Sequence, residues 1–227
     1  MKIFLLLLLC INLSFSNELA SIDVVKGKVK VLKNNAIRTS KVKVAQKLYK
    51  NDLLITFKNS MATIRLTDNS LITLDENTKL RIEDIQKIKQ EKGQAFFNIE
   101  TQGSKSLKIS TSFATIGVKG TKFIINNTTT QSVALKSGLV SVEAVKGEFE
   151  LHKKKGKKLS DYAVYKMAHQ YEYKQYKTKL EEEFIEFRKQ FDLKPNNFVI
   201  FKGNVVKENT LNKNLKKEFT RFENFQK

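Results

Sequence analysis

The chain has 227 residues, a formal net charge of +19, one cysteine and two histidines. A single cysteine excludes a disulfide framework, and a zinc site would need more nitrogen or sulfur ligands than are present. A chain this long can bury a core without disulfides. Its lysine excess suits anionic lipid headgroups, an acidic glycan or an acidic envelope protein, or simply keeps a basic protein soluble.

Lys2 precedes an apolar run over residues 3–11, shorter than the roughly 20 residues that span a bilayer. Ser14 and Ser16 supply the small residues read by a signal peptidase. The pattern predicts a signal peptide over residues 1–16, cleaved after Ser16, and a periplasmic or secreted mature chain. An uncleaved anchor or an N-terminal strand is the alternative. Leu7, Leu8 and Leu9 precede Cys10 where lipoprotein processing needs small residues, so lipidation is not expected.

From Ser21 the pattern has period two. Val24, Lys26, Lys28 and Lys30 interleave with Val25, Val29 and Val31, and Gly27 stands at the break. β-Branched residues around a Lys-Gly turn predict a hairpin. Residues 34–43 read as a polar loop. Lys50, Asn51 and Asp52 turn the chain into a strand over 53–57, which Asn59 and Ser60 break. Residues 61–67 alternate, with Ala62, Ile64 and Leu66 on one face. Turns at 68–70 and 75–77 bound a strand over 71–74, since Asn and Asp tolerate left-handed backbone and bond their own main chain.

Leu80, Ile82 and Ile85 mark the next short strand, and residues 95–99 and 107–111 two more. Residues 110–125, STSFATIGVKGTKFII, place Gly117 and Gly120 in a turn-like patch before an alternating run. A last hairpin over 133–142 turns at Ser137 and Gly138. Strands at roughly 8–12-residue spacing predict a mainly β fold, a single β-rich domain over residues 17–150 built as a sandwich, roll or short β-solenoid. No helical periodicity interrupts them, which argues against parallel βαβ units.

Residues 151–227 carry 19 Lys or Arg against 10 Asp or Glu and read as a basic extension of C-terminal amphipathic α-helices. Residues 149–151 allow an edge strand. Asp161 can cap a long helix whose apolar stripe runs through Val164, Met167, Ala168, Tyr171, Tyr176, Leu180, Phe184, Phe187 and Phe191. Pro195 stands just beyond its expected end. Residues 198–202 are a short strand or loop anchor. Leu211, Leu215, Phe219 and Phe222 predict a second helix.

Four segments in order resemble the FecR-domain family. Residues 48–56, LYKNDLLIT, are similar to its leucine, Gly-Asp and apolar-strand element, with Asn51 in place of the glycine and Asp52 as expected. Residues 60–74 are similar to its pair of strands joined by an Asp-Gly-Ser turn, with Asp68 kept and Asn69 replacing the glycine; Asn tolerates left-handed backbone well. Residues 107–125 resemble its Gly-Val-Arg-Gly-Thr-x-Phe run through Gly117, Val118, Gly120, Thr121 and Phe123. Ser112 stands where proline is common and Lys119 where arginine is. Residues 133–142 resemble its closing hairpin around Gly138.

The resemblance implies an exported β-domain of binding or scaffold type, with these glycines serving the fold. The family's namesake passes an iron-transport signal to a sigma factor through a cytoplasmic segment and a membrane helix. Only 16 residues precede the expected cleavage site here, so that role is not carried over.

The residues themselves suggest no catalytic, cofactor or metal site. His152 and His169 form no ligand pair, and no Gly-x-Ser-x-Gly elbow is present. Asp68, Asp75, Glu76 and Glu83 fall at or near turns, where carboxylates commonly cap and solvate. Residues 117–121 lack phosphate-loop spacing and precede a strand. Tyr162, Tyr165, Tyr171, Tyr173 and Tyr176 lie among lysines, either packing a helix on the β-domain or facing an acidic partner. The expectation is an exported, non-enzymatic binding, scaffolding or signalling protein of the cell envelope. No nucleic-acid or metal partner is expected. A membrane-held regulator of a sigma-factor pathway and a glycan-active enzyme are the alternatives.

Overall fold

The computed structural model describes residues 17–100, 106–154 and 183–227. The first strands are β1 (Ala20–Lys26), β2 (Val29–Leu32), β3 (Ser40–Lys41), β4 (Lys47–Leu48), β5 (Leu53–Thr56), β6 (Met61–Leu66), β7 (Leu71–Leu74) and β8 (Lys79–Asp84). Three longer ones include β9 (Lys87–Ile99), β11 (Ala114–Asn127) and β12 (Gln131–Ala144), with the short β10 (Leu107–Ser110) between them. Then come β13 (Phe149–Lys154), β14 (Glu183–Arg188), β15 (Gln190–Leu193), β16 (Asn197–Lys202) and β17 (Val205–Thr210). The helix α1 (Lys213–Phe225) follows. The protein is mainly β, one large bent sheet with a C-terminal helix.

The pairings form two ladders. The first runs β4-β1-β6-β7, then the second halves of β9 and β11, the first half of β12, and β16-β17-β13-β14. The second runs β3-β2-β5-β8, the first half of β9, β10, the first half of β11, the second half of β12, and β15. Strands β9, β11 and β12 thus belong to both, bending midway as corner strands do when they switch layers.

The two ladders share one core. Period-two alternation sends Ile64, Ile72, Phe97 and Phe123 inward from the first, and Val31, Leu80, Ile88 and Ile116 from the second, all fully or almost fully buried. Phe97 and Phe123 stack with ring centroids 4.8 Å apart, and Phe149 meets Phe191 edge-on at 5.6 Å. Apolar burial of this kind stabilises by roughly 25 cal/mol per Å², an upper estimate against an extended chain.

Crossings between the ladders need backbone that leaves the strand plane sharply. Asn51, Asn59 and Asn77 take positive φ at the β4-to-β5, β5-to-β6 and β7-to-β8 crossings, at 66°, 56° and 53°. Asparagine bonds its own backbone and occupies this region more easily than other non-glycine residues. The expected hairpin at Gly27 is therefore corrected. β1 pairs with β4 and β6, whereas β2 pairs with β3 and β5, so Gly27 carries the chain from one ladder to the other.

Residues after 150 are corrected as well. The expected helical stripe through Phe187 and Phe191 lies instead in strands, β14 and β15. The β15 pattern alternates, with Phe191 and Leu193 buried and Gln190 and Asp192 exposed. Val142 of β12 and Phe191 are cross-strand partners. The expected boundary at residue 150 falls inside β13, and Leu151, Leu193, Val199 and Val206 join the same core. The earlier part of the expected helix, from Asp161 with its tyrosines and His169, lies outside the described residues, as does the expected signal peptide. Among the described residues no helix is long and apolar enough to cross a membrane.

The C-terminal helix is present as expected. Asn212 caps it by accepting the Leu215 amide at 2.9 Å. Phe219 and Phe222 leave water against Phe96, Ile124 and Ala134 on the outer face of the first ladder. Phe96 stacks on Phe222 at 5.7 Å and meets Phe219 edge-on at 5.9 Å. This explains adjacent buried phenylalanines in one strand: Phe97 faces the core and Phe96 faces the helix.

Candidate functional site

The motif resembling the family signature forms a corner. Gly120 has φ 58° and sits where the β11–β12 register shifts between Lys119 and Lys122. The buried Thr121 hydroxyl donates to the Leu139 carbonyl at 3.0 Å. Val118 and Phe123 point into the core on either side. Across the corner, Gly138 has φ 95°, and a Cβ there would overlap the Gly120 carbonyl and approach Thr121 Cα to 2.7 Å. Gly117 differs: its nearest such contact is the Ser141 carbonyl at 4.0 Å. The structure brings Gly120, Thr121 and Gly138 together and leaves Gly117 on the open outer face.

Asp52 and Asp68 lie at separate turns. Buried Asp52 accepts from the Tyr49 amide at 2.9 Å, the Asn34 amide at 3.1 Å and the Lys33 ammonium at 2.7 Å. It ties the loop after β2 to the turn before β5. Asp68 Oδ1 accepts from the Ser70 amide at 2.9 Å, closing the β6–β7 turn. Asn51 and Asn69, where the resemblance has glycine, take φ 66° and 68°.

Two other carboxylates considered from sequence, Asp75 and Glu76, are also engaged. Asp75 receives both terminal nitrogens of Arg221, at 3.0 and 2.5 Å, in an open groove of about 610 Å³ that Glu76, Gln94 and Glu218 also line. Glu218 accepts from Arg221 at 2.8 Å. The Asp75 hydrogen bond raises the Arg221 pKa despite partial burial, and Glu218 adds to it. Glu76 accepts the Asn59 amide at 2.6 Å, and Glu150 contacts His152 at 2.8 Å. Among the described residues no group of three or more His, Cys, Asp or Glu could hold a metal ion.

Sequence reasoning missed a buried amide cluster. Gln90 Nε2 donates to the Gly93 and Ile125 carbonyls at 2.8 and 3.2 Å, and Asn127 Nδ2 donates to the Gln90 carbonyl at 2.9 Å. It also missed the Arg221 contact with Asp75, 146 residues away. Each joins segments whose proximity no local pattern records. The engaged motif groups hold turns and corners of the fold.

The family model described as FecR protein matches residues 52–147. No curated protein matches. Two crystal structures of a candidate anti-sigma factor from Parabacteroides distasonis ATCC 8503, at 1.65 and 2.50 Å resolution, are similar at 14% and 15% identity, each with a TM-score of 0.47. In both cases 70% of this chain and 59% of the other are covered, so the chain spans about three-fifths of their length. Over residues 52–147, which hold the corner and both aspartate turns, the chain is similar to the FecR family.

Proposed function

We propose that this chain is an exported, non-enzymatic FecR-type module that acts by binding a protein partner in a signalling pathway of the cell envelope. The match of residues 52–147 to the FecR family carries this reading. The geometry supports it: the Thr121 hydroxyl and the Asp52 carboxylate are engaged in holding the fold. Recognition then falls to the outer surface. The family's link to sigma-factor control makes a regulatory output the expected consequence.

Two measurements test this. N-terminal sequencing of the chain recovered from an envelope fraction should start at Asn17. Transcripts compared between cells with and without the chain should differ in one defined set of genes. An unchanged transcriptome, with the envelope location established, would remove the signalling role. A cytoplasmic location would remove the exported one.

A further inference from the structure

The two outer faces of the sheet differ. The first ladder carries α1 on its outer face. Outward positions over the first six strands of the second ladder are rich in lysine. Register aligns Lys41, Lys30, Ile55, Lys79 and Lys92 across the five neighbouring strands β3-β2-β5-β8-β9. Farther along, Arg81 pairs with Lys89, and Lys87 with Lys108. Four cross-strand pairs thus set cation beside cation: Lys30 with Lys41, Lys79 with Lys92, Arg81 with Lys89, and Lys87 with Lys108. Neighbouring strands lie about 4.8 Å apart, and directly opposed like charges destabilise a sheet.

Arg81 is neutralised by Glu91 at 2.9 Å. The seven lysines make no ion pair among the described residues. Lys30 is half-buried and the other six are exposed. Within the patch Asp84 stands opposite Lys87 and Glu91 beside Arg81, and further acidic residues lie at the far edge of this ladder, at Glu143 and Asp192. Cations outnumber these carboxylates on the face, and the surplus repulsion points to a counter-charge outside the chain.

We propose that this lysine face of the second ladder docks onto an anionic lipid bilayer. The cations spread over several strands in two dimensions, which suits a plane of headgroup phosphates better than one linear polymer. They are almost all lysine, compact point charges without the planar fork that arginine offers to individual carboxylates or phosphates. No aromatic ring stands at these outward positions to stack on a sugar. Gly117, next to Lys108, adds no side chain that would lift the face from a flat surface. The inference rests on charge geometry and is independent of the signalling pathway.

The test is co-sedimentation of the full chain with vesicles of phosphatidylcholine containing about 30% phosphatidylglycerol, at about 0.1 M salt. Pure phosphatidylcholine vesicles serve as the control. The wild type should bind the anionic vesicles, and raised salt should release it. A Lys87→Gln, Lys89→Gln, Lys108→Gln variant should lose about fivefold in affinity per lysine, on the order of a hundredfold in all. Replacing Lys213, Lys216 and Lys217 of α1 by glutamine removes the same charge elsewhere and should cost less than about a tenth of that loss. If the face variant fails to fold, single Lys79→Gln and Lys108→Gln variants carry the comparison at about fivefold each. Equal losses in the face and helix variants, or no binding by the wild type, would overturn the proposal. So would tighter binding of soluble heparin through the same three lysines, which would assign the face to an acidic glycan.

Discussion

Gly138 lies directly against the Gly120 carbonyl, with both residues at positive φ, 95° and 58°. The pair lets β11 and β12 bend together from one ladder to the other without losing their pairing. A side chain at Gly138 meets backbone, which cannot swing aside. Gly138→Ala should therefore cost about 2–4 kcal/mol, the left-handed penalty plus overlap. Gly117→Ala should change stability by less than about 0.5 kcal/mol, because ordinary space surrounds it. Urea denaturation of the two variants checks the contrast; equal losses would contradict this assignment of the corner.

Gly120→Val should also destabilise, by about 2–3 kcal/mol, since a β-branched residue at positive φ is strained. Its effect should be on folding alone. A variant as stable as the wild type that had lost partner or vesicle binding would refute this.

Asp52 serves three donors from two segments. Asp52→Ala leaves two amides without that acceptor and an ammonium without its carboxylate, and should cost about 2–4 kcal/mol. Asp52→Asn keeps an acceptor oxygen and should recover part of the loss. The measurement is the denaturation midpoint of each variant at constant m-value.

Arg221 and Asp75 join α1 to the turn after β7 in two-point geometry. The guanidinium side chain is 39% exposed, so solvent screens the pair. A double-mutant cycle with Arg221→Ala and Asp75→Ala should give a coupling of about 0.5–1 kcal/mol. Near-zero coupling would show that the helix is held by its apolar face alone.

That apolar face should dominate. Phe222 is fully buried on Phe96, and Phe222→Ala should cost about 3–5 kcal/mol. Because α1 covers an otherwise complete ladder, part of the loss should appear as local opening. Hydrogen exchange in residues 213–225 should accelerate before that of β11 and β12. Uniform acceleration would instead mean that helix and sheet open as one unit.

Much of the sheet was legible because its signals are short-range. Alternation in Met61–Leu66 reports which side chains face inward, and the Asp68 turn is written in adjacent residues. Asn51 and Asn69 could be read as glycine substitutes because left-handed backbone is a property of single residues. The Gln90–Asn127 cluster and the Arg221–Asp75 contact were not legible, since each depends on distant segments meeting. The phenylalanines after residue 183 were misread because apolar residues at steps of three and four suit a helix stripe, and alternation at Phe191 and Leu193 suits a strand equally. The open edge of β12 decided between them.

The sequence by itself determined a basic, β-patterned chain with a FecR-like run of motifs, a C-terminal amphipathic helix, and glycine or asparagine at most of the described positive-φ turns. These follow from side-chain size, branching and local hydrogen bonding. The tertiary structure alone decided which strands pair, that Gly27 separates two ladders instead of closing a hairpin, and that residues 183–210 complete the core. It also decided that one sheet face is covered by α1 while the lysines gather on the other. Pairing and burial are set by competition among distant segments for the same edges and the same core, and no local pattern encodes that outcome.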